Sequence, residues 1–284
     1  MIAAVTDGAP RLLLVESEGA DAPSIPSTTP TERDATLERA MRRGVSEQTG
    51  LDVTYVEQLY TFGDRERRPD EPDVRSISVA YLALAREVED PLAGSRWVDW
   101  YSLFPWEDHR AGRPALLDAI DDLLASWADS PERKERVALT FGEPWDGVRV
   151  LDRYELLYEL GAVAEAAGQP VLRGTGSPLA FDHRRIAATA LGRLRGKFSY
   201  RPVVFEMLGE TFTLLELQRC VEALAGVPLH KQNFRRLVEN AELVEPTGAT
   251  SRPERGRPAA LFRFRQSTLR CGRQVLFRLR CRSI

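Results

Sequence analysis

Between positions 231 and 236 the sequence reads Lys-Gln-Asn-Phe-Arg-Arg, and Leu237, Val238 and Ala241 follow. Gln, Asn and Arg pair bidentately with purine edges in the major groove, and Lys and Arg neutralise phosphates. Phe234, Leu237, Val238 and Ala241 recur at i, i+3, i+4 and i+7, which predicts a helix with one apolar face. At about 100° per residue, Gln232, Arg236 and Glu239 then point away from that face, with Asn233 and Arg235 on its flanks. His230, Lys231 and Gln232 occupy the helix N-terminus, the end that a recognition helix directs at bases.

The flanking elements suit that chemistry. Thr213-Leu-Leu-Glu216 has the form of a capping box, and Leu214, Leu217, Val221 and Leu224 continue it as a helix. Gly226-Val-Pro-Leu229 breaks the chain just ahead of the Lys231 helix. Pro202 can open an earlier helix that buries Val204, Met207 and Leu208. After the second helix, Leu243–Glu245 and Ala260–Phe264 read as short strands around a loop carrying Arg252, Arg255 and Arg257. A basic β-loop behind a recognition helix is a wing, whose arginines reach phosphates or the minor groove. Together these features predict a winged helix-turn-helix that binds double-stranded DNA.

Charge is divided accordingly. The chain has 284 residues and a net charge of −3, yet residues 198–284 carry +7 and residues 1–197 carry −10. A basic module on an acidic body points to an anionic partner. The composition is that of a globular protein, with length for two domains. No apolar run approaches the ~18 residues of a membrane span, and the start has no basic n-region, so no membrane association is expected. Cys220, Cys271 and Cys281 lack metal-site spacing and are odd in number, which fits reduced thiols in a cytoplasmic protein.

The acidic part alternates strands and helices. Ile2–Val5 and Arg11–Glu16 predict a hairpin around Asp7-Gly8, and Asp21–Pro30 a loop. Thr31–Gln48 reads as a helix through Leu37, Met41 and Val45, ending at Gly50. Val53–Phe62 and Val74–Ala85 read as strands, and Trp97–Phe104 as another strand or an edge. Helices are predicted over Pro114–Trp127, Val150–Ala167 and Asp182–Leu194, the last capped by Asp182. Gly168–Pro178 is a loop, and the domain boundary falls near Gly196.

Small-molecule contacts are candidates at the end of the Val53–Phe62 strand and the loop behind it. Arg65, Arg67, Arg68 and Arg75 could clamp phosphates, although interleaved acids also suit a solvated loop. Tyr60, Thr61 and Gly63 lie where that strand gives way to loop. Trp97, Trp100, Tyr101, Phe104 and Trp106 could stack a base, but core packing suits them better. His183 reads as structural, and no spacing joins it to His109 or His230 as a metal site.

The segment Arg43–Leu51 resembles the end of a Nudix box, G-x5-E-x7-R-E-U-x-E-E-x-G-U. Its fixed positions fall at Thr29, Ala35, Arg43, Gly44, Val45, Glu47, Gln48, Gly50 and Leu51, of which Arg43, Val45, Glu47, Gly50 and Leu51 match. Carboxylates expected at 35, 44 and 48 are absent. What remains, Arg43 with Glu47 at i, i+4, reads as a helix ion pair. The resemblance therefore implies a Nudix-like α/β/α sandwich with a mixed sheet that binds no catalytic metal and is not an enzyme.

Further along, Tyr60–Arg65, Val74–Tyr81, Leu179–His183, Phe212–Gln218, Lys231–Arg236 and Glu245–Gly248 with Gly256-Arg-Pro258 follow in order. That succession is similar to the Nudix-related regulators of NAD metabolism of the NrtR type, and most to NadQ-type repressors of de novo NAD synthesis. The resemblance implies a homodimeric repressor of NAD biosynthesis genes. Its domains would be residues 1–195, sensing an adenine nucleotide (NAD, ATP or ADP-ribose) without a required cofactor, and residues 196–265, binding operator DNA. Residues 266–284 form a tail of unknown role. The alternatives are an active nucleotide-diphosphate hydrolase that also binds DNA, and a DNA-binding protein whose Nudix-like domain only dimerises.

Overall fold

The computed structural model describes residues 1–16, 21–64, 75–87, 91–166, 172–198, 200–251 and 258–265. Its first strands are β1 (Ile2–Thr6) and β2 (Ala9–Val15), joined at Asp7 and Gly8, which both take positive φ. That is the backbone of a tight hairpin turn, and Asp-Gly suits it. Helix α1 (Leu37–Thr49) leads to β3 (Tyr55–Phe62), β4 (Ser78–Leu84) and β5 (Ser95–Asp99). These strands form one five-stranded sheet in the order β3-β4-β1-β2-β5. The β1–β4 pair is parallel and the other pairs are antiparallel, so the sheet is mixed.

Strand alternation divides the core in two. Ile2, Leu13 and Ala83 point to one face and pack with Val45, Leu51 and Val53 beneath α1. Ala3, Leu12, Leu14, Leu82 and Leu84 point to the other and join a large cluster. That second layer holds α2 (Leu116–Trp127), α3 (Pro131–Phe141), α4 (Val150–Glu159) and α5 (His183–Lys197). The fold is thus a Nudix-like sandwich with a helical layer on each side of a mixed sheet.

The same cluster runs without a break into the C-terminal module, taking in Leu217, Val221, Leu224, Phe234 and Val238. That module comprises a 3-10 turn (Val203–Met207), α6 (Leu214–Ala225), α7 (Lys231–Asn240), β6 (Val244–Thr250) and β7 (Ala260–Phe264). β6 and β7 pair antiparallel, and Phe212 bridges to Phe262 on the free side of β7. Two helices followed by this ribbon make a winged helix-turn-helix.

Several boundaries differ from the sequence reading. The first helix starts at Leu37 instead of Thr31, because Thr36 takes extended backbone and its hydroxyl accepts from Arg39 N–H. Leu37 is consequently exposed, not part of the buried stripe. The strand read over Val74–Ala85 spans only Ser78–Leu84. Strand character after Trp97 stops at Asp99, whose carboxylate caps a 3-10 turn over Trp100–Ser102. The helix expected to reach Ala167 ends at Glu159, where Gly161 adopts φ +67°. Pro202 precedes a 3-10 turn in place of an α-helix. Asp182 stands at the N-cap of α5 but its side chain makes no capping hydrogen bond, and the helix runs on to Lys197. Helix α3 was not anticipated; Ser130 caps it and Pro131 opens it.

Candidate nucleic-acid interface

The capping box at the start of α6 is complete. Glu216 N–H donates to Thr213 Oγ1 at 3.1 Å, and Thr213 N–H donates to Glu216 Oε2 at 2.6 Å. Two otherwise unpaired helix donors are thereby satisfied. Replacing Thr213 with alanine should lower stability by about 1 kcal/mol, read as a lower urea midpoint at unchanged m-value. Gly226 closes α6 in the left-handed conformation, φ +73°. Gln218 and Glu222 then fasten the turn, accepting Leu229 N–H on Glu222 and donating from Gln218 to Leu229 O.

Helix α7 presents the face predicted for it. Phe234 and Val238 are buried against α6 and the core, with Leu237 and Ala241 half-buried beside them. Lys231, Gln232, Asn233, Arg235, Arg236 and Glu239 are all exposed. Two guanidiniums, two carboxamides and an ammonium thus project from one rigid helix. Arg263 on β7 adds a further exposed cation, held to Glu245 at 2.5 Å. The wing arginines Arg252, Arg255 and Arg257 lie outside the described residues.

Of the small-molecule candidates, Tyr60 and Arg75 sit at one end of the β3–β4 pair. Tyr60 is exposed and packs edge-on to Phe62, with ring centroids 5.3 Å apart. Arg75 Nε donates to Gly63 O at 3.3 Å. Nearby, Asp64 pairs with Arg185 from the first turn of α5. Arg65, Arg67 and Arg68 lie outside the described residues. Of the aromatic group, Trp100, Tyr101, Phe104 and Trp106 are core, each 5% exposed or less, so none of these offers a face to a base, while Trp97 is partly buried against the cluster beneath α1. His183 is structural, its Nδ1 accepting Ile25 N–H at 3.1 Å.

The remnant motif on α1 is built from ion pairs and close packing. Arg43 donates to Glu47 at 3.0 Å as expected, and also to both oxygens of Asp34, at 3.1 and 2.8 Å. These hydrogen bonds hold the Asp34 carboxyl far below the usual carboxylate range. Gly50 caps α1 at φ +72°. Gly44 lies under Thr28, where an added Cβ would stand 2.4 Å from Thr28 Cβ. Gln48 clips the same segment, accepting Ser27 N–H and donating to Ser27 O at 2.6 Å. The segment around Ser27–Thr29 therefore covers this face of α1. Among the described residues, no three His, Cys, Asp or Glu side chains come together where they could hold a metal ion.

One cluster was missed from sequence. Glu107 is buried between two guanidiniums, with Arg153 donating to its two oxygens at 2.6 and 3.1 Å and Arg195 donating at 2.5 Å. Burial pushes the Glu107 carboxyl up, but the two arginines outweigh it and hold it below its ordinary value. Arg153 also donates to Thr140 O and Asp146 O, and its guanidinium lies 3.9 Å from the Trp145 ring centroid. For Arg195 the readable signal was its place on the stripe Arg184, Ala188, Leu191, Arg195 along α5, a buried face.

The fold and the exposed α7 face define a Nudix-like domain joined to a winged-helix DNA reader. Residues 204–264 match the family model of the NrtR DNA-binding winged helix domain. Over 86 residues, 30% of this chain, the sequence is 38% identical to the ADPR responsive transcriptional repressor NtrR of Acinetobacter baylyi. The match spans 34% of that curated relative's length. The crystal structure of Shewanella oneidensis NrtR complexed with a 27mer DNA superposes with a TM-score of 0.59 at 25% identity, covering 94% of this chain and 92% of that one. A MutT/nudix family protein from Enterococcus faecalis shares the fold at 17% identity, with a TM-score of 0.53 over 93% of this chain and 83% of that one. The C-terminal module is accordingly an NrtR-type winged helix, on a chain that folds as NrtR does. No described helix is long and apolar enough to cross a membrane.

Proposed function

We propose that this protein is a transcriptional repressor of NAD biosynthesis genes, acting as a cytoplasmic homodimer on operator DNA. The observation that carries the reading is α7. Its Lys231, Gln232, Asn233, Arg235 and Arg236 are all exposed while Phe234 and Val238 anchor the opposite face. Two such helices related by a dimer axis would read half-sites of a palindrome. Residues 1–195 are the sensing domain and 196–265 the DNA-binding domain, with 266–284 as a tail. ADP-ribose is the first effector to test ahead of NAD and ATP, because the Acinetobacter relative is named for its response to it. Tyr60, Arg65, Arg67 and Arg75, at and after the end of β3, are its proposed contacts.

The sensing domain does not hydrolyse its ligand on this reading. A divalent cation on a diphosphate needs several carboxylates. Gly44 is pressed against Thr28, and the Gln48 carboxamide is committed to the Ser27 backbone. Glu47, the one carboxylate left in the motif, is engaged with Arg43. The residues present do not fit the metal cluster of an active Nudix site.

Selection of duplexes from a random DNA pool tests the reading. The wild-type chain should recover one palindromic site and prefer it to scrambled DNA in a salt-resistant way. Gln232→Ala or Arg236→Ala should weaken binding to that site by about 1–3 kcal/mol and relax the preference at one base position. Arg255→Ala should weaken all duplexes alike and lower the salt slope by about 1. Calorimetry with ADP-ribose, NAD and ATP then identifies the effector. Recovery of no preferred duplex rejects DNA reading, and absence of heat with all three nucleotides rejects sensing.

A further inference from the structure

The turn that precedes α7 is held by residues remote from it in sequence. Tyr101 Oη donates to Ala223 O at 2.7 Å, Arg195 Nε donates to Leu224 O at 3.0 Å, and His109 N–H donates to Gly226 O at 2.7 Å. These acceptors lie at the C-terminal end of α6, where carbonyls run out of intrahelical donors. Arg195 is itself held by Glu107, and it donates further to Tyr101 Oη and to Glu107 O, both at 3.2 Å. Gly226 nests in this cluster. A Cβ there would stand 2.4 Å from Glu107 O, 2.6 Å from Arg195 Nη2 and 2.8 Å from Tyr101 Oη.

We propose that Tyr101, Glu107 and Arg195 are positioning residues for DNA recognition, which aim α7 by clamping the turn ahead of it. The proposal rests on the DNA-binding reading above. Burying an ion cluster is a poor way to gain stability, since desolvation offsets much of the attraction. Its hydrogen bonds are directional, however, and they fix one orientation of the α6 terminus where apolar packing alone tolerates several. Helix α5 extends the clamp. Its first turn holds Asp64 beyond the end of β3 through Arg185, and its last turn holds the α6 terminus through Arg195. Arg195 lies ten helical positions after Arg185, about 15 Å along a rigid rod. The end of the sheet where nucleotide contacts are proposed and the turn before α7 thus bear on one helix.

Tyr101→Phe and Arg195→Met, compared on the selected duplex and on a scrambled duplex of equal length, test this. Tyr101→Phe keeps the ring and loses only the hydroxyl, so the chain folds. It should bind the selected duplex about fivefold more weakly, the equivalent of one net hydrogen bond, with the scrambled duplex within about twofold of wild type. Arg195→Met should lose about tenfold or more of the preference. A role confined to stability would shift the urea midpoint and leave the ratio of the two affinities at the wild-type value, which overturns the clamp. A wild-type chain that prefers no duplex overturns the DNA-binding reading and the clamp with it. A wild-type chain that discriminates, alongside two variants that discriminate equally well, overturns the clamp alone.

Discussion

Glu107→Ala will lower the unfolding free energy by about 3–5 kcal/mol, seen as a large fall in the urea midpoint and a two-state transition at lower denaturant. The size follows from what the substitution leaves behind. Arg153 and Glu107 are fully buried, and the Arg195 side chain is 3% exposed. Without the carboxylate, two guanidiniums remain in the interior with no counter-charge. Arg153 keeps its bonds to Thr140 O and Asp146 O, and Arg195 keeps Leu224 O and Gly147 O, so the loss is electrostatic more than a loss of donors' partners. Glu107→Gln, which preserves shape and one acceptor, should cost less than alanine but still remove the charge.

The same carboxylate gives an acid limb to the stability curve. Its folded pKa lies below the unfolded value, held there against burial by Arg153 and Arg195. Such a group contributes stability that is present above the unfolded carboxylate pKa, about 4.3, and is lost as pH falls through the folded one. In Glu107→Gln that part of the acid limb disappears, so the difference between wild type and variant narrows as pH drops.

The recognition helix and the Glu107 cluster mark the limits of what sequence conveys. Helix α7 was legible because Phe234, Leu237, Val238 and Ala241 repeat at helical spacing within one short window, and their repeat alone says which residues face out. The capping box and Gly226 were legible for the same reason, each being local. The clamp is not local. With Arg153, which shares Glu107, its residues Tyr101, Glu107 and Arg195 come from three separate stretches, and many of their partners are main-chain carbonyls, which carry no side-chain signature. Polar helix α3 escaped because its only fully buried residue is Thr140, so a periodic apolar stripe hardly exists. Boundaries slipped where a backbone conformation decided them, as at Thr36, which takes extended backbone, and at Gly161, with its positive φ. On α1, sequence revealed that carboxylates were missing but not what had replaced them.

That replacement leads to the second large effect. Gly44→Glu restores a carboxylate to the remnant motif, yet the variant should hydrolyse neither ADP-ribose nor NAD with magnesium and should lose about 3 kcal/mol of stability. The Cβ it adds stands 2.4 Å from Thr28 Cβ and 2.5 Å from Thr28 Cγ2, well inside contact distance. The segment is also tied down on either side of Thr28, by Gln48 at Ser27 and by Arg43 at Thr29 O, so it has little freedom to step back. Thr28→Gly in the same chain should recover most of the stability, because it removes the atoms that collide. The two sites touch, so a double-mutant cycle will register a coupling of about 1–3 kcal/mol, whereas independent sites would add within about 0.5 kcal/mol. Calorimetric affinity for ADP-ribose in the double variant separates two accounts of the loss. If a segment lying over α1 is what keeps the N-terminal domain from acting on the nucleotide proposed for it, opening it changes metal binding and leaves nucleotide affinity intact. Magnesium-dependent turnover by Gly44→Glu alone would mean that the segment moves aside readily and that the lost carboxylates were the whole barrier.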